Sequence, residues 1–191
     1  KELQLNQPEV TLNHAKTYTN FALFYDKFAK EKDGLDMINK CLHIQLNFLP
    51  ENHIDLSETY NLRGELYLAL SKLKEGYADI QKSLEIVKVN KGEDHPDNVR
   101  PCNLMSYYYR IENKYNEAKE ANERALSLGQ KYFVENHTEI VNSCTGLGNI
   151  YQKNGDFDKA MEAYQKAYDI IKNIFGTEIH FICGALTNIG T

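Results

Sequence analysis

Three histidines recur at a fixed interval, His53, His95 and His137, each 42 residues from the next. Imidazole is the commonest metal ligand and the side chain that titrates nearest neutral pH, so a metal column or a proton sensor is the first chemistry to weigh. Spacing argues against it. Equivalent residues of successive packed helical units lie on the order of 10 Å apart, while a zinc ion needs its ligands about 2 Å away. Each histidine is followed two residues later by a carboxylate, Asp55, Asp97 or Glu139. A carboxylate at the start of a helix suits the positive end of its dipole. The column is therefore read as a device for starting helices, and no metal is expected.

The four cysteines are equally unpromising as chemistry. Cys102 and Cys144 share a column of the same period, and a separation of about 10 Å between equivalent helices exceeds the roughly 7 Å between Cα atoms that a disulfide tolerates. Cys41 and Cys183 fall elsewhere, and no Cys-x-x-Cys pair occurs. Buried, reduced thiols and a cytoplasmic protein are expected. Catalytic motifs are absent: no glycine-rich phosphate loop, no Gly-x-Ser-x-Gly and no His-Glu-x-x-His. Thr145-Gly146-Leu147-Gly148-Asn149 carries two glycines but reads as helix. Asn136-His137-Thr138 fits a glycosylation acceptor, which carries no weight without a secretory signal. The expectation is a protein that is not an enzyme and holds no cofactor.

Composition narrows the partners. The chain has 191 residues, 42% apolar and 26% charged, with a net charge of −5. Mild acidity speaks against nucleic acid, and no stretch approaches the 18 or so apolar residues of a membrane span. The first residues lack a signal sequence and an initiator Met.

The same 42-residue shift aligns far more than the histidines. Tyr25, Tyr67, Tyr109 and Tyr151 form one column. Ala22, Gly64, Ser106, Gly148 and Gly190 form another. Gly34, Gly76, Ala118 and Ala160 form a third, and Cys41, Ser83, Ala125 and Ala167 a fourth. The last three columns contain only Gly, Ala, Ser or Cys. Small residues let two helices cross closely, because a larger side chain would push the axes apart. Each unit therefore reads as two helices packed through small contacts beside a tyrosine. Apolar spacing supports this in the fourth unit, where Val141–Gln152 and Phe157–Ile174 are helical around an Asn154-Gly155-Asp156 turn. Asn113 and Ser71 mark the corresponding turns of the third and second units. Gly92 and Gly176 are helix stops, and Pro50 ends the second helix of the first. No segment alternates with period two, so no strand is predicted.

The expected units are 15–56, 57–98, 99–140 and 141–182, after an amino-terminal extension at 1–14. A fifth begins at Cys183 and breaks off at Thr191. A solenoid needs polar caps, so the expectation is a parent protein that continues, or another molecule covering this end. Self-association through Phe181, Ile182, Leu186 and Ile189 is one form of the latter.

Leu147-Gly148-x-x-Tyr151 followed by Ala160-x-x-x-Tyr164 resembles the tetratricopeptide pattern L-G-x-x-Y…A-x-x-x-F. The 42-residue length and Glu93-Asp94-His95-Pro96-Asp97 resemble the long repeats of kinesin light chains and their bacterial relatives. Arg63 in a usually buried apolar column, Asn122 where an aromatic is typical, and the missing Trp depart from the pattern. The resemblance implies an all-α, right-handed superhelix of antiparallel helix pairs, four full and one partial. Its first helices would line a concave groove for a peptide or a partner helix.

On that geometry the groove face carries Asn20, Leu23, Asn61, Glu65, Arg100, Asn103, Tyr107, Arg110, Thr145, Asn149 and Gln152. Lys16, Thr19, Asp26, Glu58, Leu62, Leu68, Leu104, Asn142, Gly146, Thr187 and Asn188 complete it. An amide both donates and accepts, so Asn20, Asn61, Asn103, Asn149 and Asn188 could pair with a peptide main chain. Tyr107 and Leu23 would anchor apolar groups, and Arg100 and Arg110 a carboxylate. Tyr108 would lie on the flank. The Lys and Asn pattern of a carboxylate clamp is broken by Thr19 and Leu23. The leading expectation is a non-enzymatic interaction module, adaptor or scaffold. The alternatives are the regulatory or sensor segment of a larger signalling enzyme and, more weakly, a peptide-pheromone receptor.

Overall fold

The computed structural model describes residues 8–133 and 137–175, with side chains from 11 onward. The fifth unit, the Gly176 stop, Gly190, Asn188 and Cys183 lie outside the described residues. Eight α-helices follow one another: α1 (Pro8–Lys27), α2 (Glu31–Phe48), α3 (Asp55–Ala69), α4 (Leu73–Lys91), α5 (Val99–Ile111), α6 (Tyr115–Tyr132), α7 (Thr138–Lys153) and α8 (Phe157–Phe175). A single turn of 3-10 helix, Pro96–Asn98, precedes α5. No strand occurs among the described residues. The tightest packing is within the pairs α1·α2, α3·α4, α5·α6 and α7·α8.

All twelve described small-column residues are buried. They sit where the paired backbones approach most closely. A Cβ added to Gly34 would lie 3.3 Å from the Ala22 carbonyl, and one added to Gly76 would lie 3.1 Å from the Gly64 carbonyl. The small residue on the first helix thus meets the small residue on the second. Larger apolar side chains fill the layers between pairs, such as Ile38, Leu62 and Leu66 in one cluster and Leu68, Ile80, Leu104 and Met105 in the next.

Each first helix ends the same way. Residues Ala29, Ser71, Asn113 and Gly155 all have positive φ, 51°, 59°, 58° and 82°. These positions are again one period apart. At each, the following amide bonds the carbonyl of the column tyrosine: Lys30 to Tyr25, Lys72 to Tyr67, Lys114 to Tyr109 and Asp156 to Tyr151, at 2.8–3.0 Å. This left-handed stop satisfies carbonyls that the helix end would otherwise orphan. Only the last unit uses glycine for it. Alanine and serine carry a Cβ that the left-handed region penalises by about 1 kcal/mol, whereas asparagine tolerates that region better. Ser71→Gly should therefore raise stability by roughly 0.5 kcal/mol in urea unfolding, with Asn113→Gly gaining less.

The histidine column does stand at helix starts, where its rings add to the carboxylates Asp55, Asp97 and Glu139 in the first turns. Nδ1 accepts the backbone N–H of Asp55, Asp97 and Glu139 from His53, His95 and His137 at 3.3, 3.2 and 3.2 Å. A neutral imidazole with its proton on Nε2 makes this possible. His95→Ala should cost about 1 kcal/mol by thermal or urea unfolding, and His95→Asn, which restores a side-chain acceptor, should cost little.

Among the described residues Cys41, Cys102 and Cys144 are free and buried. Burial pushes the Cys102 thiol up to about 11, which leaves it protonated and unreactive at neutral pH.

Candidate peptide-binding groove

The first helices of successive pairs line one face of the array, with α5 packed against both α3 and α7. On this face lies an open depression of about 820 Å³. Seven of the eleven residues expected to face a ligand line it: Glu65, Asn103, Tyr107, Arg110, Thr145, Asn149 and Gln152. Asp26 reaches it from α1, and Asn122 and Tyr164 reach it from the second helices α6 and α8.

The other four lie elsewhere. Asn20 is exposed and does not line the depression. Leu23 packs against the core cluster around Ile38 and Leu62. Asn61 is 5% exposed, and Leu62 and Leu68 belong to the core. Arg100 is spent inside the protein, paired with Glu65 at 2.8 Å.

The row of amides is not a ladder open to a peptide. Asn103 donates to the Glu139 carbonyl at 3.1 Å and to its carboxylate at 2.9 Å. It also accepts from Ser143 Oγ at 2.8 Å. Asn103 therefore ties α5 to the start of α7. Asn149 Oδ1 accepts the Tyr164 hydroxyl at 2.7 Å, and Gln152 Oε1 lies 3.0 Å from the same hydroxyl. The single hydroxyl proton serves one acceptor, and the shorter bond occupies the carbonyl end of Asn149, so its N–H end is what the groove presents.

The tyrosine triplet divides its work. Tyr107 is 40% exposed at the groove and lies beneath the Arg110 guanidinium, 5.5 Å from its ring centroid. Tyr109 packs in the core cluster with Leu68 and Ile80. Tyr108, expected on the flank, stacks on Tyr77 at 4.7 Å and joins the same cluster. Its partner comes from the preceding pair, which the local pattern does not reveal.

Two buried polar residues that sequence reasoning did not place in the groove contribute to its floor. Asn122 is 2% exposed and Ser106 1%. Neither Asn122 Nδ2 nor Ser106 Oγ has a hydrogen-bond partner among the described residues. Asn122 occupies the column of Ile38, Ile80 and Tyr164. It lies against bare Gly146, where an added Cβ would come within 2.1 Å of Nδ2. The signal was visible in the sequence as a polar residue in an apolar column.

The arrangement offers shape, hydrogen-bond donors and separated charges. Among the described residues no cluster of His, Cys, Asp or Glu could hold a metal ion. Among them, too, no helix is long and apolar enough to cross a membrane.

A tetratricopeptide repeat model matches residues 55–131 and 102–173. The chain belongs to the tetratricopeptide repeat family, and its stacked pairs form the all-α superhelical solenoid of that family. Solved structures give the same fold. BtubC (BKLC) from P. vanneervenii is 20% identical, with 90% of this chain and 67% of that chain covered and a TM-score of 0.71. A structure described as a kinesin light chain from Podosopora anserina, with nearly identical TPR-like repeats, is 17% identical over 85% and 77% of the two chains, with a TM-score of 0.58. MamA is 14% identical over 84% and 80%, with a TM-score of 0.55. A comparison with curated proteins returned no match. The family and fold support a module for protein–protein interaction.

Proposed function

We propose that this chain is a non-enzymatic adaptor that holds a partner peptide in the depression along its first helices. The carrying observation is that depression of about 820 Å³, lined by seven of the eleven expected first-helix positions, including the exposed Tyr107 and Arg110, which is unpaired among the described residues. The exposed Tyr107 ring supplies an apolar anchor of the kind that dominates interface energetics. The free N–H end of Asn149 supplies a donor for a main chain. The unit boundaries 15–56, 57–98, 99–140 and 141–182 form part of this reading, as does a cytoplasmic location.

The test is capture from native lysate read by mass spectrometry, comparing the natural chain with Tyr107→Ala/Arg110→Glu. Asn103 is left alone, because its bonds to Glu139 and Ser143 are structural. The expected result is a partner retained by the natural chain and reduced at least tenfold by the double variant. Equal retention by both would move function away from the groove.

A further inference from the structure

Two charges of opposite sign line the same depression without meeting any partner. Asp26, on α1, makes no side-chain hydrogen bond or ion pair among the described residues. Arg110, on α5, makes none either and rests only on the Tyr107 ring. The chain has four arginines. The other three are engaged: Arg63 with Asp79, Arg100 with Glu65, and Arg124 with the Glu93 carbonyl. Burial pushes the Asp26 carboxyl up, reinforced by the nearby Glu65 charge and partly offset by Arg100. Burial likewise pushes the Arg110 guanidinium down. Both charges are thus partly stripped of water and neither is in a direct ion pair among the described residues, which costs free energy that a ligand of opposite charge recovers.

The Arg110 end is also rich in donors. Asn122 Nδ2 lies beneath the floor of the depression under Gly146, without a partner among the described residues. The carbonyl oxygen of Asn149 is taken by the Tyr164 hydroxyl, which leaves its N–H group. A surplus of donors beside a cation suits a carboxylate. At the other end, Glu65 is already neutralised by Arg100, so Asp26 is the acidic group open to a cation.

Asp26 and Arg110 occupy the same repeat position two units apart. At about 10 Å per packed step they lie roughly 20 Å apart along the groove. An extended chain covers that distance in about six residues, at roughly 3.3 Å each. A side-chain amide N–H such as that of Asn149 pairs with main-chain carbonyls, which an extended segment leaves free and a helix spends on its own ladder. The occupant is therefore an extended segment.

We propose that the groove selects an extended peptide carrying a basic residue for Asp26 and an acidic residue for Arg110, about six residues apart, so that charge fixes the direction in which the peptide lies. This rests on the groove reading above and adds to it a ligand class and an orientation.

The experiment is selection of random sixteen-residue peptides, displayed on phage, against the full chain. One selected peptide is then synthesised for affinity measurement. The expected result is enrichment of one basic and one acidic residue, five to seven positions apart and in one consistent order. Arg110→Glu should weaken the selected peptide at least tenfold, and replacing the peptide's acidic residue by Lys should restore binding to that variant. Asp26→Lys should behave in the same way with the basic residue replaced by Glu. Circular dichroism of both variants checks that the helices persist, which is expected because neither side chain is engaged in the fold. Enriched peptides without a charge pattern, or with affinity unmoved by both variants, would overturn the proposal and leave the groove reading standing. Charges spaced about thirteen positions apart would signal a helical occupant and overturn the extended form. A selection that enriches nothing would overturn both readings.

Discussion

Replacing Arg63 by alanine should destabilise the second repeat by about 3–5 kcal/mol, the cost of stranding a buried charge. Arg63 stands in a column that is usually apolar, yet the chain has built a site for it. Its Nε donates to Asp79 Oδ2 at 2.6 Å and its Nη2 to Asp79 Oδ1 at 2.8 Å. Nη1 reaches Asn39 Oδ1 on α2 at 3.2 Å, so the guanidinium also bridges to the preceding pair. Its planar group lies 5.5 Å and 5.7 Å from the Tyr60 and Tyr67 ring centroids. Asp79 is 6% exposed and has no other charged partner among the described residues. Removing the arginine leaves that carboxylate buried and unpaired. Replacing both residues, as Arg63→Leu/Asp79→Leu, should recover most of the loss, because a buried ion pair is often no more stabilising than an apolar pair of similar volume. Urea unfolding of the two single variants and the double closes the cycle. Repeat arrays need not unfold in one step, so amide exchange over α3 and α4 should accompany it. A single variant as stable as the natural chain would show that the pair carries little.

Gly76→Leu should be nearly as damaging, at about 3 kcal/mol. A Cβ there already falls 2.8 Å from Leu68 Cδ2 and 3.1 Å from the Gly64 carbonyl. The first is the end of a side chain that can turn. The second is backbone and cannot yield unless α3 and α4 separate. Gly76→Ala is the informative intermediate. Alanine gains about 1 kcal/mol of helix propensity over glycine, and overpacking costs about 1–3 kcal/mol. A small net loss is expected for alanine and a large one for leucine. Gly92, which has no atom within 4 Å of an added Cβ but a φ of +93°, gives the contrasting control. Substitution there acts through backbone strain alone. If Gly76→Leu unfolds no earlier than Gly76→Ala, close crossing is not the reason for the small columns.

Both cases show how much the sequence carried. The small columns, the tyrosine column and the histidine column all repeat because every unit solves the same local problem. Two helices must cross closely, the first must stop, and the next must start. These problems involve neighbours within one unit, so periodicity exposes them before any coordinates exist. The positive-φ column at Ala29, Ser71, Asn113 and Gly155 is of the same kind, although one of its members is alanine, which does not look like a turn residue. The period places it where composition does not.

The groove was legible in outline and not in its chemistry. First-helix positions could be assigned by period, and seven of eleven do line the depression. Which of them remain free for a ligand depends on bonds to residues far along the chain. Asn103 is consumed by Glu139 and Ser143, Arg100 by Glu65, and Tyr108 by Tyr77. Nothing in the period forecasts these pairings, because each joins non-equivalent positions in different helices. Asn122 was visible as a misfit in an apolar column, but only packing against Gly146 shows that its amide faces the groove floor unpartnered. Sequence alone determined the architecture of this protein, since repeated local geometry writes itself as repeated residue types. Tertiary structure alone decided which polar groups are spent and which are spare, since a hydrogen bond is settled by the partner within about 3 Å and not by the residue's place in a repeat.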